Sequence, residues 1–193
     1  QGGKFAAHWS YTQPVRHAPP KPTRHTDWVR NETDHFILRH LIQEGLSPSP
    51  AADRTALIRR VSLDLTGLPP NLDEVDAFVN DTEPGAYERL VDRLLEKETY
   101  GEHWARMWLD LARYADSNGF EFDFVRPHAW HYRDYVIASF NQDKPYDAFV
   151  REQLAGDEIN RDDFSSWVAT GFCRNGPTVG NQTLEKNRYE ELH

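Results

Sequence analysis

The sequence has few of the residues that cross-link or anchor a chain. One of its 193 residues is a cysteine, Cys173, so an internal disulfide and a C-x-x-C motif are both excluded. Attachment of haem c through two thioether bonds needs that motif, and we expect no covalently bound haem in this chain. No apolar run approaches the roughly 20 residues that span a bilayer, so we expect no transmembrane segment.

Basic side chains are outnumbered by acidic ones, 22 Lys and Arg against 31 Asp and Glu. The formal net charge is −9 at pH 7, although residues 1–26 contain four Lys or Arg residues and no Asp or Glu. The rest of the chain is therefore more acidic than the total suggests. Nucleic-acid binding needs a basic face that neutralises phosphates, so we expect no nucleic-acid partner.

The sequence also lacks runs that alternate between polar and apolar residues, whereas helical spacing recurs along it. We predict an all-α fold, a single domain of about eight helices over residues 31–193. Four prolines break residues 1–30, which we expect to form an extended arm docked on the body through its aromatic residues. Asn31 is a predicted N-cap, and Asn71 with Glu74 a predicted capping box.

One helix is predicted at the centre of the chain, over about residues 101–115. Trp104, Trp108 and Leu111 recur at helical spacing, which predicts that they face inward. A later helix is predicted to end at Gly156, because glycine often terminates helices.

An acidic loop follows the central helix. Asp116, Asn118, Glu121 and Asp123 offer side-chain oxygens at alternate positions around a flexible glycine, a pattern that suits calcium. In the alternative interpretation the nearby guanidinium groups of Arg113, Arg126 and Arg133 neutralise these carboxylates without an ion.

Other polar residues near this loop are candidates for chemistry. If the domain is an enzyme, its catalytic candidates are Asp110, Arg113, His128 and Arg133. The spacing of His128 and His131, with Asp134 after them, also suits a transition metal, although histidines are common on helix surfaces. Met107 and His103 are weak candidates for axial haem ligands, with core packing and surface exposure as the alternatives.

Five sequence segments occur in an order typical of one known family. They are RVSLDLTGLPP (60–70), YERLVDRLL (87–95), YGEHWARMWLDLARYADS (100–117), YRDYVIASFNQDKPYDAFVREQLAGD (132–157) and ATGFCRNGPT (169–178). Together they resemble the domain of unknown function that accompanies cytochrome c domains in large planctomycete surface proteins. In that family the region is similar to the part that precedes a haem-attachment motif, which this sequence lacks.

The resemblance implies an extracytoplasmic location and an adjacent cytochrome-type domain, or the remainder of a longer polypeptide, as partner. It also implies that haem c is carried elsewhere in the intact protein. Three functions stay open: a helical module that positions or covers that haem and supports electron transfer, a catalytic domain acting on polysaccharide or another surface substrate, and a calcium-stabilised interaction domain.

Overall fold

The computed structural model describes residues 8–119 and 123–176, and it divides the chain into two compact units, residues 1–51 and 52–193. In the first unit, 3-10 turns at Trp9–Tyr11 and Thr26–Trp28 precede helix α1 (Glu32–Gln43). The side chains of Asn31 and Asp34 form a capping box at the start of α1, which confirms the predicted N-cap. Arg16 pairs with Glu32 across 3.2 Å, with both side chains exposed.

The regular secondary structure described in the second unit is also helical. Its helices are α2 (Arg54–Thr66), α3 (Leu72–Asn80), α4 (Ala86–Leu95), α5 (Glu98–Leu111), α6 (Trp130–Asn141), α7 (Tyr146–Ile159) and α8 (Phe164–Ala169), followed by a 3-10 turn at Thr170–Arg174. Within the described part of the chain the only β-type pairing is one isolated bridge between Ser117 and Val125. The predicted all-α fold of about eight helices is confirmed. The structure shows no helix there that is long and apolar enough to cross a membrane.

Helices α2, α3 and α4 enclose an aliphatic core, which we call the first core. Its buried members are Ile58, Val61, Phe78, Ala86, Leu90 and Leu94. The predicted capping box at Asn71 and Glu74 is present at the start of α3. The guanidinium of Arg54 lies 4.1 Å from the centroid of the Phe78 ring and donates hydrogen bonds to the carbonyls of Phe78 and Asp81.

Helices α5, α6, α7 and α8 enclose a second core, which is rich in aromatic residues. Its buried members are Ala105, Leu109, Ala112, Tyr132, Tyr135, Val136, Phe149 and Ala169. Helices α5 and α6 meet at Gly101, whose amide donates to Oδ1 of Asn141 across 2.8 Å. A Cβ atom at Gly101 would lie 2.5 Å from that side chain, so the contact requires glycine.

The structure corrects the predicted orientation of α5. This helix ends at Leu111 rather than near residue 115, and Trp104 and Leu111 are 38% and 78% exposed. Only Trp108 packs against the second core as predicted. The small residues Gly101 and Ala105 face α6 because they allow the two backbones to approach, and this turns Trp104 towards solvent.

Gly156 follows a break in the helix, at the position where the sequence predicted a helix end. Ala155 has non-helical backbone angles, and a further helical stretch, counted within α7, then continues to Ile159 with Gly156 buried. A Cβ atom at Gly156 would lie 2.1 Å from the carbonyl oxygen of Ser166, the third residue of α8. The glycine is there because it allows close approach between α7 and α8, and local sequence cannot distinguish this role from helix termination.

Candidate functional site

The segment between α5 and α6 folds back on itself and brings its polar residues to one end of the second core. Arg113 follows α5 in the left-handed region, with φ of 58°. Two backbone hydrogen bonds then close the loop, from Asn118 N to Phe124 O at 2.9 Å and from Arg126 N to Asp116 O at 2.7 Å. The loop is therefore held by backbone pairing as well as by side chains.

The carboxylates of this loop accept hydrogen bonds from protein donors. The hydroxyl of Tyr114 donates to Asp116 across 2.6 Å. Burial, together with that hydrogen bond, raises the pKa of Tyr114 well above its usual range, so the phenol stays protonated. Asp123 accepts from the amide of Gly119 at 2.8 Å, and hydrogen bonds from the Ser117 side chain and this amide hold the pKa of Asp123 below its usual value.

Calcium binding by this loop stays a prediction. Glu121, one of the four predicted ligands, lies outside the described residues. Over residues 8–119 and 123–176 the structure shows no group of three His, Cys, Asp or Glu side chains placed to hold a metal ion. Oδ1 of Asn118 accepts a hydrogen bond from Nε of Arg126 at 2.8 Å, so this predicted ligand oxygen is engaged by a guanidinium.

Arg126 connects the loop to the end of the 3-10 turn that follows α8. Beyond its bond to Asn118, its guanidinium donates to the carbonyls of Arg174 at 3.3 Å and Gly176 at 2.8 Å. The guanidinium carbon of Arg113 lies near Gly176, 3.8 Å from the position that a Cβ atom would take there. The guanidinium groups of Arg113 and Arg126 thus both lie close to residues 174–176.

Beside Arg126 the structure opens a cleft of about 550 Å³. We call it the Arg174 cleft. Its described lining comes from the loop, the start of α6, α8 and the 3-10 turn: Asn118, Val125, Arg126, Pro127, His128, Ala129, His131, Tyr132, Trp167, Val168, Thr170, Gly171, Arg174 and Asn175. A site of this size is in the range that binds small molecules.

Of the four predicted catalytic residues, His128 is the one found in the described lining of this cleft. His128 lines it, with its ring centroid 6.2 Å from that of His131. Arg133 forms an ion pair with Asp134 across 2.8 Å, and this interaction raises the pKa of the guanidinium. Asp110 lies exposed on α5, where its side chain has no hydrogen bond or ion pair with any described residue. A catalytic role for the four candidates stays a prediction.

The family comparison matches residues 32–193 to the family PSCyt2, described as a protein of unknown function (DUF1549). The chain belongs to this family. No curated protein and no solved structure matches the chain. Membership confirms the predicted resemblance to a cytochrome-associated domain of unknown function.

The residues of this PSCyt2 domain do not fit a haem held within the domain itself. Its single cysteine cannot supply two thioether bonds. His103 packs against the end of α2, because a Cβ atom at Gly67 would lie 2.4 Å from its Nδ1. Met107 lies on the outer face of α5, where it is 46% exposed.

Sequence reasoning missed a buried polar network in the PSCyt2 domain. Nε1 of Trp108 donates to Oε1 of Gln153 at 2.9 Å and to the Tyr132 hydroxyl at 3.0 Å, and that hydroxyl donates to Gln153 at 2.6 Å. Burial raises the pKa of Tyr132 to about 12, so it remains a donor at neutral pH. Arg174 and Asn175 were missed as well, since a lone Arg-Asn pair after a helix has no signature in a single sequence.

Proposed function

We propose that this domain is a helical module of an extracytoplasmic cytochrome c-type protein. It contacts the part of the intact protein that carries haem, and it positions or covers that haem to support electron transfer. Family membership over residues 32–193 supports the proposal, together with the single cysteine, which cannot attach haem c by two thioether bonds.

The observation that carries the proposal is an exposed apolar stripe on the central helix α5. Trp104, Met107 and Leu111 lie at helical spacing and are 38%, 46% and 78% exposed. The ring of Tyr100, one turn earlier, lies 6.4 Å from that of Trp104. Aromatic residues and methionine are enriched where proteins meet, and a contiguous exposed apolar stripe is unusual on a surface that faces only water.

The stripe suits a haem-bearing partner for two reasons. Haem edges in cytochromes are apolar, and shielding them from water changes the reduction potential. The aromatic rings of the stripe supply flat apolar area at a small cost in conformational entropy. We therefore place the contact with the cytochrome part at Trp104, Met107 and Leu111.

The proposal is tested on the intact polypeptide that contains this domain. We expect a c-type haem absorbance spectrum from that polypeptide, with the haem attached outside residues 1–193. Trp104→Lys is expected to shift the midpoint potential of the haem, because a lysine in the contact admits water and charge. The matched control is Leu72→Lys, which places the same charge at an exposed apolar position of α3.

Two outcomes contradict the proposal. The first is the absence of covalent haem from the intact polypeptide. The second is a midpoint potential that Trp104→Lys and Leu72→Lys leave equally unchanged while both variants remain folded.

A further inference from the structure

The Arg174 cleft is basic in an acidic protein. Two arginines and two histidines contribute to its lining, and none of the described lining residues is Asp or Glu. The chain as a whole carries a formal net charge of −9. A concave site lined by one sign of charge focuses its field on ligands of the opposite sign. The lining therefore selects for an anion.

One of these cations is available to a ligand. The guanidinium of Arg174 forms no hydrogen bond or ion pair with any residue that the structure describes, although its carbonyl is engaged by Arg126. Arginine presents two parallel N–H groups that match a carboxylate or a sulfate group in a bidentate geometry.

A second polar group in the cleft lacks a partner among the described residues. Nδ2 of Asn175 is buried and forms no hydrogen bond with any of them. A buried donor left without an acceptor has an energetic cost, and native proteins satisfy most such groups. Oxygen atoms of a bound anion supply the missing acceptor. The neighbouring Arg126 holds the backbone of Arg174 and Gly176, so the position of Asn175 between them is fixed.

The cleft also has flat apolar surfaces at its margin. The Trp167 ring is 51% exposed, and its Nε1 donates to the carbonyl of Arg161 at 2.9 Å, which fixes its orientation. The His131 ring is stacked on that of Trp130, with 3.7 Å between their centroids. Aromatic faces beside charged donors suit a ligand that carries its anionic group on a ring with an apolar face.

We propose that the Arg174 cleft binds an acidic saccharide, whose carboxylate or sulfate group contacts the guanidinium of Arg174 and Nδ2 of Asn175. The sugar ring packs on Trp167. This proposal does not rest on a haem-bearing partner, and it assigns no reaction to the cleft.

The test is a calorimetric titration of the full chain with digalacturonate, with the neutral disaccharide lactose and sodium sulfate as comparison ligands. We expect saturable binding of digalacturonate and none of lactose. Arg174→Ala is expected to weaken the binding about ten- to a hundred-fold, the usual effect of losing hydrogen bonds to a charged group. Arg59→Ala removes the same charge from the exposed face of α2, away from the cleft, and should change the affinity less than about two-fold.

Asn175→Asp provides an independent variant of nearly identical shape. It replaces the unsatisfied donor with a carboxylate, and we expect it to weaken binding at least as much as Arg174→Ala does. Circular dichroism and thermal melting establish whether each variant remains folded, and either folded variant suffices for the test.

Each contrary outcome overturns a stated part of the proposal. No binding of digalacturonate, or equal losses in Arg174→Ala and Arg59→Ala, overturns the site. If sulfate binds as tightly as digalacturonate, and Trp167→Ala changes neither affinity, the assignment of a saccharide ligand is wrong. The cleft then binds an adventitious ion only. Haem spectra of the intact polypeptide are unaffected by any of these results, so this proposal and the proposed function fail separately.

Discussion

The two cores of the second unit differ in the side chains that fill them. The first core, between α2, α3 and α4, is mostly aliphatic, with Phe78 as its one buried ring. The second core, which α5, α6, α7 and α8 enclose, contains aromatic rings packed around the hydrogen-bond network of Trp108, Tyr132 and Gln153. Aliphatic packing tolerates rearrangement, whereas a buried polar network requires one geometry. The second core thus provides a rigid base for the Arg174 cleft beside it.

Side-chain caps are more frequent in the first region, α2 to α4, than in the second, α5 to α8. The side chains of Asp53 and Asn71 cap the first turns of α2 and α3, while α4 begins without a side-chain cap. Asp163 caps α8, and α5, α6 and α7 begin without a side-chain cap. Helices α2 and α3 are therefore defined in part locally, while α5, α6 and α7 depend more on contacts between helices distant in sequence.

The largest effect is expected in the first core, from Phe78→Ala. The ring is 1% exposed, and its removal leaves a cavity beneath Arg54. We expect the free energy of unfolding to fall by about 3–5 kcal/mol, measured by urea denaturation. Phe164→Ala is the control, since that ring is exposed on α8 and its loss should matter little. Equal losses in the two variants would contradict the assignment of Phe78 to a core.

A smaller loss is expected from Gln153→Leu in the second core. The change keeps the apolar volume but removes the shared acceptor of Trp108 and Tyr132 and the donor to the Phe149 carbonyl. We expect a loss of about 1–3 kcal/mol by thermal melting, because buried donors are left unpaired. Gln142→Leu, at an exposed position after α6, should be nearly neutral. A neutral Gln153→Leu variant would mean that the network does not constrain this core.

The local character of the first region is tested by Asn71→Ala. Oδ1 of Asn71 accepts from the amide of Glu74 at 2.9 Å, and the variant loses this cap. We expect a loss of about 1 kcal/mol in denaturant titrations. Asn80→Ala, at the end of the same helix and exposed, removes only a hydrogen bond to the Asp76 carbonyl and serves as the control. A larger loss at Asn80 than at Asn71 would contradict the capping argument.

The smallest effect is expected in the loop, from Asp116→Ala. Its carboxylate is exposed and its hydrogen bond from Tyr114 is open to water, so we expect the melting temperature to fall by only about 1–2 °C. The melts are run with calcium and with a chelator. Stabilisation of the parent chain by calcium that disappears in Asp116→Ala would instead support the calcium site predicted from the sequence.

The difference between the two regions explains what the sequence alone could predict. The caps at Asn31 and Asn71 involve residues three positions apart, so a local pattern is sufficient to find them. The orientation of Trp104 and the role of Gly156 depend on Asn141 and Ser166, which are distant in sequence or lie on another helix. Periodicity identifies an apolar face of a helix. It does not identify the partner helix, whose position determines which of the apolar residues are buried.

The sequence located only part of the candidate site, for the same reason. Residues 110–134 include Asn118, Arg126 and His128, which line the Arg174 cleft. The other wall, with Trp167, Arg174 and Asn175, comes from a segment about 50 residues further along the chain. No local pattern links these two walls, because the hydrogen bonds of Arg126 that join them depend on the complete packing of α6, α7 and α8.

Those hydrogen bonds also have a kinetic consequence. Arg126 and its acceptors at Arg174 and Gly176 are 48 and 50 residues apart, so their union closes a long loop. Closing such a loop costs conformational entropy before the hydrogen bonds of Arg126 can form. We therefore expect these hydrogen bonds to form later than the helices that they connect. The amides of residues 170–176 should therefore gain protection from hydrogen exchange after those of α6 and α7 during refolding.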